Sequence, residues 1–146
     1  MTEKLPYARS FQDLLAYKKA GQLAERVFAE TKRFPKEEVY SLTDQIRRSS
    51  RSVGAQIAEA WGKRRYINNF ILMLTNASAE LNETEHWLDI ALNCGYISSE
   101  VRNKLRELCI EISRLLGGMI SKADLFCVKS ENGIKEVLAE YFKTTI

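Results

Sequence analysis

Residues 34–61, FPKEEVYSLTDQIRRSSRSVGAQIAEAW, decide the fold. Behind a turn at Pro35, Leu42, Ile46, Val53 and Ile57 recur at helical spacing and form one apolar stripe. Arg47, Arg48 and Arg51 fall on the other side of the same helix. A stripe of that kind seeks a core, and a basic face seeks water or a polyanion. Ser41 is placed to cap the helix, with Asp44 three residues on, so the spacing predicts a helix over about 41–63. Residues 37–40 read as a short helical turn packed against its start. Gly54 lies mid-helix, where it costs about 1 kcal/mol against Ala. The expected compensation is close approach of a neighbouring backbone, which Ser49, Ser50, Ser52 and Ala55 also allow.

The segments on either side repeat the helical period. Ser10 and Asp13 suit the start of a first helix, and Leu14, Tyr17, Gly21, Ala24 and Phe28 are expected to share its inner face. That helix should stop near Lys32 or Arg33, because Pro35 disfavours a helical residue before it. A third helix carries Phe70, Met73, Leu74, Ala77, Leu81, Thr84, Leu88, Ala91 and Leu92 in one stripe and ends at Gly95. Leu72, Ala79, Trp87 and Ile90 form a second strip roughly opposite, which one neighbouring surface cannot also bury. It reads either as an interface with another subunit or as scattered surface apolars. Burying Trp87 is worth about 3 kcal/mol, which favours the interface. A fourth helix begins after Ser98 or Ser99 and presents Val101, Leu105, Leu108, Ile112, Leu115 and Met119, with Gly117 and Gly118 weakening its last turns.

Helices of about 20 residues, each about 30 Å long, joined by short links predict an antiparallel up-down four-helix bundle over residues 1–125. Residues 126–146 form a C-terminal extension. Within it, 130–133 read as a turn and 134–142 as one short amphipathic helix. That helix has three open fates: packing on the bundle, reaching a neighbouring subunit, or partial disorder.

The 146 residues contain only 2 prolines and 7 glycines, too few for the turns of an all-β fold. A formal net charge of +3 excludes little, but its distribution is uneven. Residues 41–66 hold Arg47, Arg48, Arg51, Lys63, Arg64 and Arg65 against Asp44 and Glu59 alone. Residues 67–95 hold Glu80, Glu83, Glu85 and Asp89 with no Lys or Arg. The N-terminus lacks a secretory apolar core and no window spans a membrane, so a cytoplasmic protein is expected. Cys94, Cys109 and Cys127 are far apart, and reduced, mostly buried thiols are the plain expectation.

Arg47 and Arg51 are four residues apart with Arg48 beside them, a spacing at which like charges repel by a few tenths of a kcal/mol per pair. A polyanion would relieve that repulsion. Lys63, Arg64 and Arg65 extend the charge at the helix end, where the helix dipole also favours cations. The six basic residues therefore read as a phosphate-backbone site, as a solvated face, or as one side of intersubunit ion pairs. Glu59 and Glu80 are the acids positioned to pair with them across helices or subunits. Trp61, near Tyr66, can stack on a base or pack at a subunit or bundle end. His86 falls on the polar side of the third helix beside Glu83 and Glu85. There is no zinc-ligand spacing, Gly-rich phosphate loop, G-x-S-x-G or H-E-x-x-H, so the expectation is a non-enzymatic protein without metal or cofactor.

Phe11 and Leu14, then Phe34, Pro35, Glu38, Tyr40, Leu42, Gln45, Ile46, Arg47 and Arg48 follow a pattern of spaced residues. Ser52, Val53, Ile57, Ala58 and Glu59, then Glu80, then Gly95, Tyr96 and Ile97 continue it. Over roughly residues 11–120 the chain resembles the bacterial four-helix bundle proteins encoded by intervening sequences of 23S ribosomal RNA genes. It departs from them at Gln56, where Asn is usual, and at Ala60, where Gly is usual. The resemblance implies a closed homopentameric ring. A related branch, the accessory proteins of diversity-generating retroelements, is basic and binds nucleic acid and a reverse transcriptase. RNA or DNA backbone and a reverse transcriptase are thus the partners the resemblance implies, and Leu72, Trp87, Ile90, Glu59 and Glu80 are the expected interface.

Overall fold

The computed structural model describes residues 8–127. They form an all-α bundle of four long helices: α1 (Leu15–Thr31), α2 (Leu42–Gly62), α3 (Ile67–Asn93) and α4 (Ser99–Ser121). A single-turn helix, α5 (Ala123–Phe126), follows. The helices pack in cyclic order: α2 against α3 most extensively, α1 against α2, α3 against α4, and α4 back against α1. Short links force successive helices to alternate in direction, as expected of an up-down bundle. Residues 130–133 and 134–142, where a turn and a short helix were expected, lie outside the described residues.

The core is a column of fully enclosed side chains: Leu23 and Val27 from α1, Ile46, Val53 and Ile57 from α2, Phe70, Leu74 and Leu81 from α3, Ile112 and Leu116 from α4. The α2 and α3 stripes match the sequence expectation. The α1 stripe is rotated from it. Ala16, Ala20, Leu23, Val27 and Thr31 are buried, whereas Gly21 and Phe28 are exposed and Tyr17 and Ala24 half-buried. The cause is composition: α1 alternates small and large apolar residues around much of its circumference, and its bulkiest aromatic is not on the inner side. In α4 the enclosed residue is Leu116, with Leu115 only partly covered, and the helix runs through Gly117 and Gly118 without a break.

The helix ends show how local chemistry sets the boundaries. Ser41 stands at the N-cap of α2, yet its hydroxyl makes no capping bond. The Glu38 carboxylate instead accepts from the Leu42 N–H at 3.1 Å, and Tyr96 donates to the same carboxyl group at 3.2 Å. The helical turn expected at residues 37–40 lies over Lys36–Glu38 and thus carries the cap. At the end of α3 the Tyr96 N–H reaches the Ala91 carbonyl and the Gly95 N–H reaches Leu92, a Schellman closure that needs the positive φ of Gly95, +76°. Ser98 caps α4 by accepting from the Val101 N–H.

Gly54 does not meet a neighbouring backbone. A Cβ there would lie 3.7 Å from the Tyr17 ring and 3.9 Å from the Ala20 Cβ, ordinary contact with side chains of α1. Ser49 of α2 serves the α3 side instead. The Ser49 and Thr84 hydroxyls lie 2.9 Å apart in the seam, and each also reaches a carbonyl of its own helix, Ile46 and Glu80. The cysteines are less buried than expected: Cys109 is enclosed, Cys127 partly covered and Cys94 exposed. Burial, with the nearby Glu85 charge, pushes the Cys109 thiol up to about 12, so it behaves as an inert apolar group.

Candidate nucleic-acid interface

The basic residues of α2 do not form the single outward face that their spacing suggested. Successive residues of a helix are about 100° apart, so Arg47 and Arg51 lean over the α1 side and Arg48 over the α3 side. Arg48 is solvated and lies 3.7 Å from Asp44, one turn earlier. It borders a polar slot between α2 and α3 with Gln45, Ser49, Ser52, Glu80 and Glu83. In that slot burial, reinforced by the Glu83 charge and a hydrogen bond to Glu83, raises the pKa of Glu80.

On the α1 side the arrangement is built around Phe28. The residue is 38% exposed. The Arg47 guanidinium lies 4.7 Å from the ring centroid, the Lys32 ammonium 4.8 Å and the Arg51 guanidinium 5.7 Å. Arg47 is held there by a short relay: its Nε donates to the Thr31 hydroxyl at 2.8 Å, and that hydroxyl donates to the Phe28 carbonyl at 3.0 Å. Thr31 is 3% exposed, so the anchor is sheltered from water. The quadrupole of the ring offers each cation partial compensation. None of the three makes an ion pair with a carboxylate among the described residues. Like charges are thereby fixed close together with their compensation incomplete, a state that an arriving anion would stabilise.

Lys32 and Phe28 enter the sequence reading only as a helix end and an inner-face residue, and Thr31 does not enter it; the usable signal is the i, i+3, i+4 spacing of Phe28, Thr31 and Lys32.

The second expected cluster is divided as well. Lys63 and Arg65 are exposed at the end of α2, but Arg64 is committed to the protein. Its guanidinium lies 3.5 Å from the Trp61 ring centroid and its Nε donates to the Trp61 carbonyl at 2.9 Å. Burial lowers its pKa. This arrangement occupies one face of Trp61, which is itself partly buried against the core. Tyr66 remains exposed.

Of the residues expected at an interface, Leu72 is exposed, whereas Trp87 and Ile90 pack partly against their own core. The Trp87 Nε1 donates to Glu83 at 3.2 Å, and the centroid of the exposed His86 ring is 4.7 Å from that of the Trp87 ring. Glu59 is exposed, and neither it nor Glu80 makes an ion pair with another described residue, so the expected pairing with the arginines is not made within one chain. Among the described residues, no group of His, Cys, Asp and Glu side chains is arranged to hold a metal ion. No described helix is long and apolar enough to cross a membrane.

The fold is that of an all-α bundle of four long helices. Residues 12–118 match the 23S rRNA-intervening sequence protein family, and the chain belongs to it. A solved structure of similar fold comes from Bacteroides thetaiotaomicron VPI-5482, a protein of unknown function from the S23 ribosomal protein family. The two share 31% sequence identity over 73% of this chain and 98% of that one, with a TM-score of 0.66. No curated protein matches the chain.

Proposed function

We propose that this protein is a non-enzymatic, self-associating cytoplasmic scaffold that binds the phosphate backbone of RNA or DNA. The observation that carries the reading is the cluster of Lys32, Arg47 and Arg51 about Phe28, three cations without a carboxylate partner among the described residues. Arg48, Lys63 and Arg65, all solvent-exposed, extend the positive surface. Contacts of this kind read backbone rather than base sequence and weaken steeply with salt. A homopentameric ring would repeat the cluster around an axis and focus its field. An accessory role beside a reverse transcriptase or other RNA-handling protein belongs to the same reading and is supported by the family resemblance alone. Fluorescence anisotropy with labelled RNA and DNA tests the proposal. Binding at low salt that is lost in a Lys32→Gln, Arg51→Gln double variant supports it. Absence of binding by the native protein at low salt refutes it.

One observation favours a second reading. Glu59 and Glu80 lack ion-pair partners among the described residues, which suits intersubunit pairs with the arginines of a purely structural module. That reading requires Arg48→Gln or Arg51→Gln to break the assembly, and light scattering decides it.

A further inference from the structure

We propose that the ligand is a single strand, held in the cleft between α1 and α2 with unstacked bases against Phe28 and Tyr17; the inference rests on the phosphate-binding reading above. The first observation is continuity. Arg51, 5.7 Å from the Phe28 ring, also lines an open cleft of about 570 Å³ that runs along the two helices past Gly54 and Ala55 to Tyr17 and Phe11. Lys18 lies on the same cleft. Basic groups therefore stand at both ends of a trough, and aromatic rings stand beside them.

The second observation is the shape of the floor. Ala20, Gly21, Ala24, Gly54, Ala55 and Ala58 leave space between the helices that larger side chains would fill. A Cβ at Gly21 would meet nothing within 4 Å. Alanines, glycines and the Phe11 and Tyr17 rings make up most of the walls, which suits the face of a planar ring better than a hydrated phosphate. The phosphates fall instead to Lys18, Lys32, Arg47 and Arg51. Glu25 is the one acid lining the cleft, and it makes no ion pair with a described residue.

The third observation is preorganisation. The Thr31 relay holds Arg47 over Phe28 before any ligand arrives, so its guanidinium plane is a ready stacking surface as well as a charge. A duplex keeps its bases inside its own stack and can offer this trough only phosphates. A single strand can offer both, and each base stacked on an aromatic ring adds roughly fivefold or more in affinity.

The test is anisotropy with single strands and duplexes of matched length and sequence, in RNA and DNA arms. The expected result is that single strands bind roughly fivefold or more tightly than duplexes in at least one arm. Phe28→Leu should reduce that preference by weakening single-strand binding more than duplex binding. Ala55→Leu, at an exposed helix position on the cleft, should weaken single-strand binding without touching the core, and it keeps the test decisive if Phe28→Leu folds poorly. Equal binding of both forms, or a preference indifferent to both substitutions, overturns the inference and leaves phosphate binding standing. Binding of neither form overturns both.

Discussion

Thr31 is small, buried and decisive for the site. Its hydroxyl accepts from Arg47 and donates to Phe28, so one oxygen fixes a cation over a ring. Replacing it with Val keeps the shape and removes both bonds. Thr31→Val should cost about 1 kcal/mol in urea unfolding. It should also weaken nucleic-acid binding by roughly two- to fivefold, because Arg47 then has to be ordered by the ligand. A variant that loses stability and keeps its affinity would show that Arg47 needs no anchor. Glu80 poses a different residue-level problem. Its folded pKa is raised above the ordinary 4.5 by burial and by Glu83, while Arg48 on the facing helix is drawn to Asp44. The folded state therefore holds the Glu80 proton more tightly than the unfolded chain does, and stability falls as pH rises from 4.5 through the raised value. Glu80→Gln should accordingly raise the melting temperature at neutral pH, with the difference shrinking toward pH 4. An unchanged melting temperature at neutral pH would mean that Glu80 is not strained there.

At the scale of elements, two glycines separate propensity from geometry. Gly54 has a normal helical conformation, and a Cβ there makes only ordinary contact with Tyr17 and Ala20. Gly54→Ala should stabilise the protein by up to about 1 kcal/mol, read by chemical denaturation. Gly95 sits at φ +76° in the Schellman closure of α3, where Ala should cost about 1–2 kcal/mol. Opposite signs at the two positions are the expected outcome. The same elements show what was legible beforehand. The four helices, the α2 and α3 stripes and the Gly95 stop could be read, because periodicity and a positive φ are local properties. The rotation of α1 could not, since an alanine-rich helix offers similar apolar content to several directions and only its neighbours choose among them. The division of Arg47 and Arg51 from Arg48 was visible as an angle, but its meaning depended on Phe28, which tertiary packing brings to α2. Arg64 escaped for the same reason: Trp61 became its partner only when α2 ended where it does.

For the whole molecule, the bundle supplies rigidity and the surface supplies the chemistry. The core closes around enclosed residues of all four helices, so substitutions at the exposed positions of the α1–α2 cleft should leave the fold intact. A chain of net charge +3 has only a modest field of its own, and self-association would multiply it. Light scattering at micromolar concentration should give the mass of a pentamer, and Leu72→Lys on the exposed side of α3 should lower it. A monomer mass for the native protein would remove the ring from the account. The cluster around Phe28 is tested most directly by the salt dependence of binding. Log affinity for a single strand should fall linearly with log salt concentration. The Lys32→Gln, Arg47→Gln, Arg51→Gln variant should have a slope shallower by about 2, as expected for the loss of three phosphate contacts at about 0.7 each. An identical slope in the variant would mean that the phosphates bind elsewhere, and it would contradict the central claim.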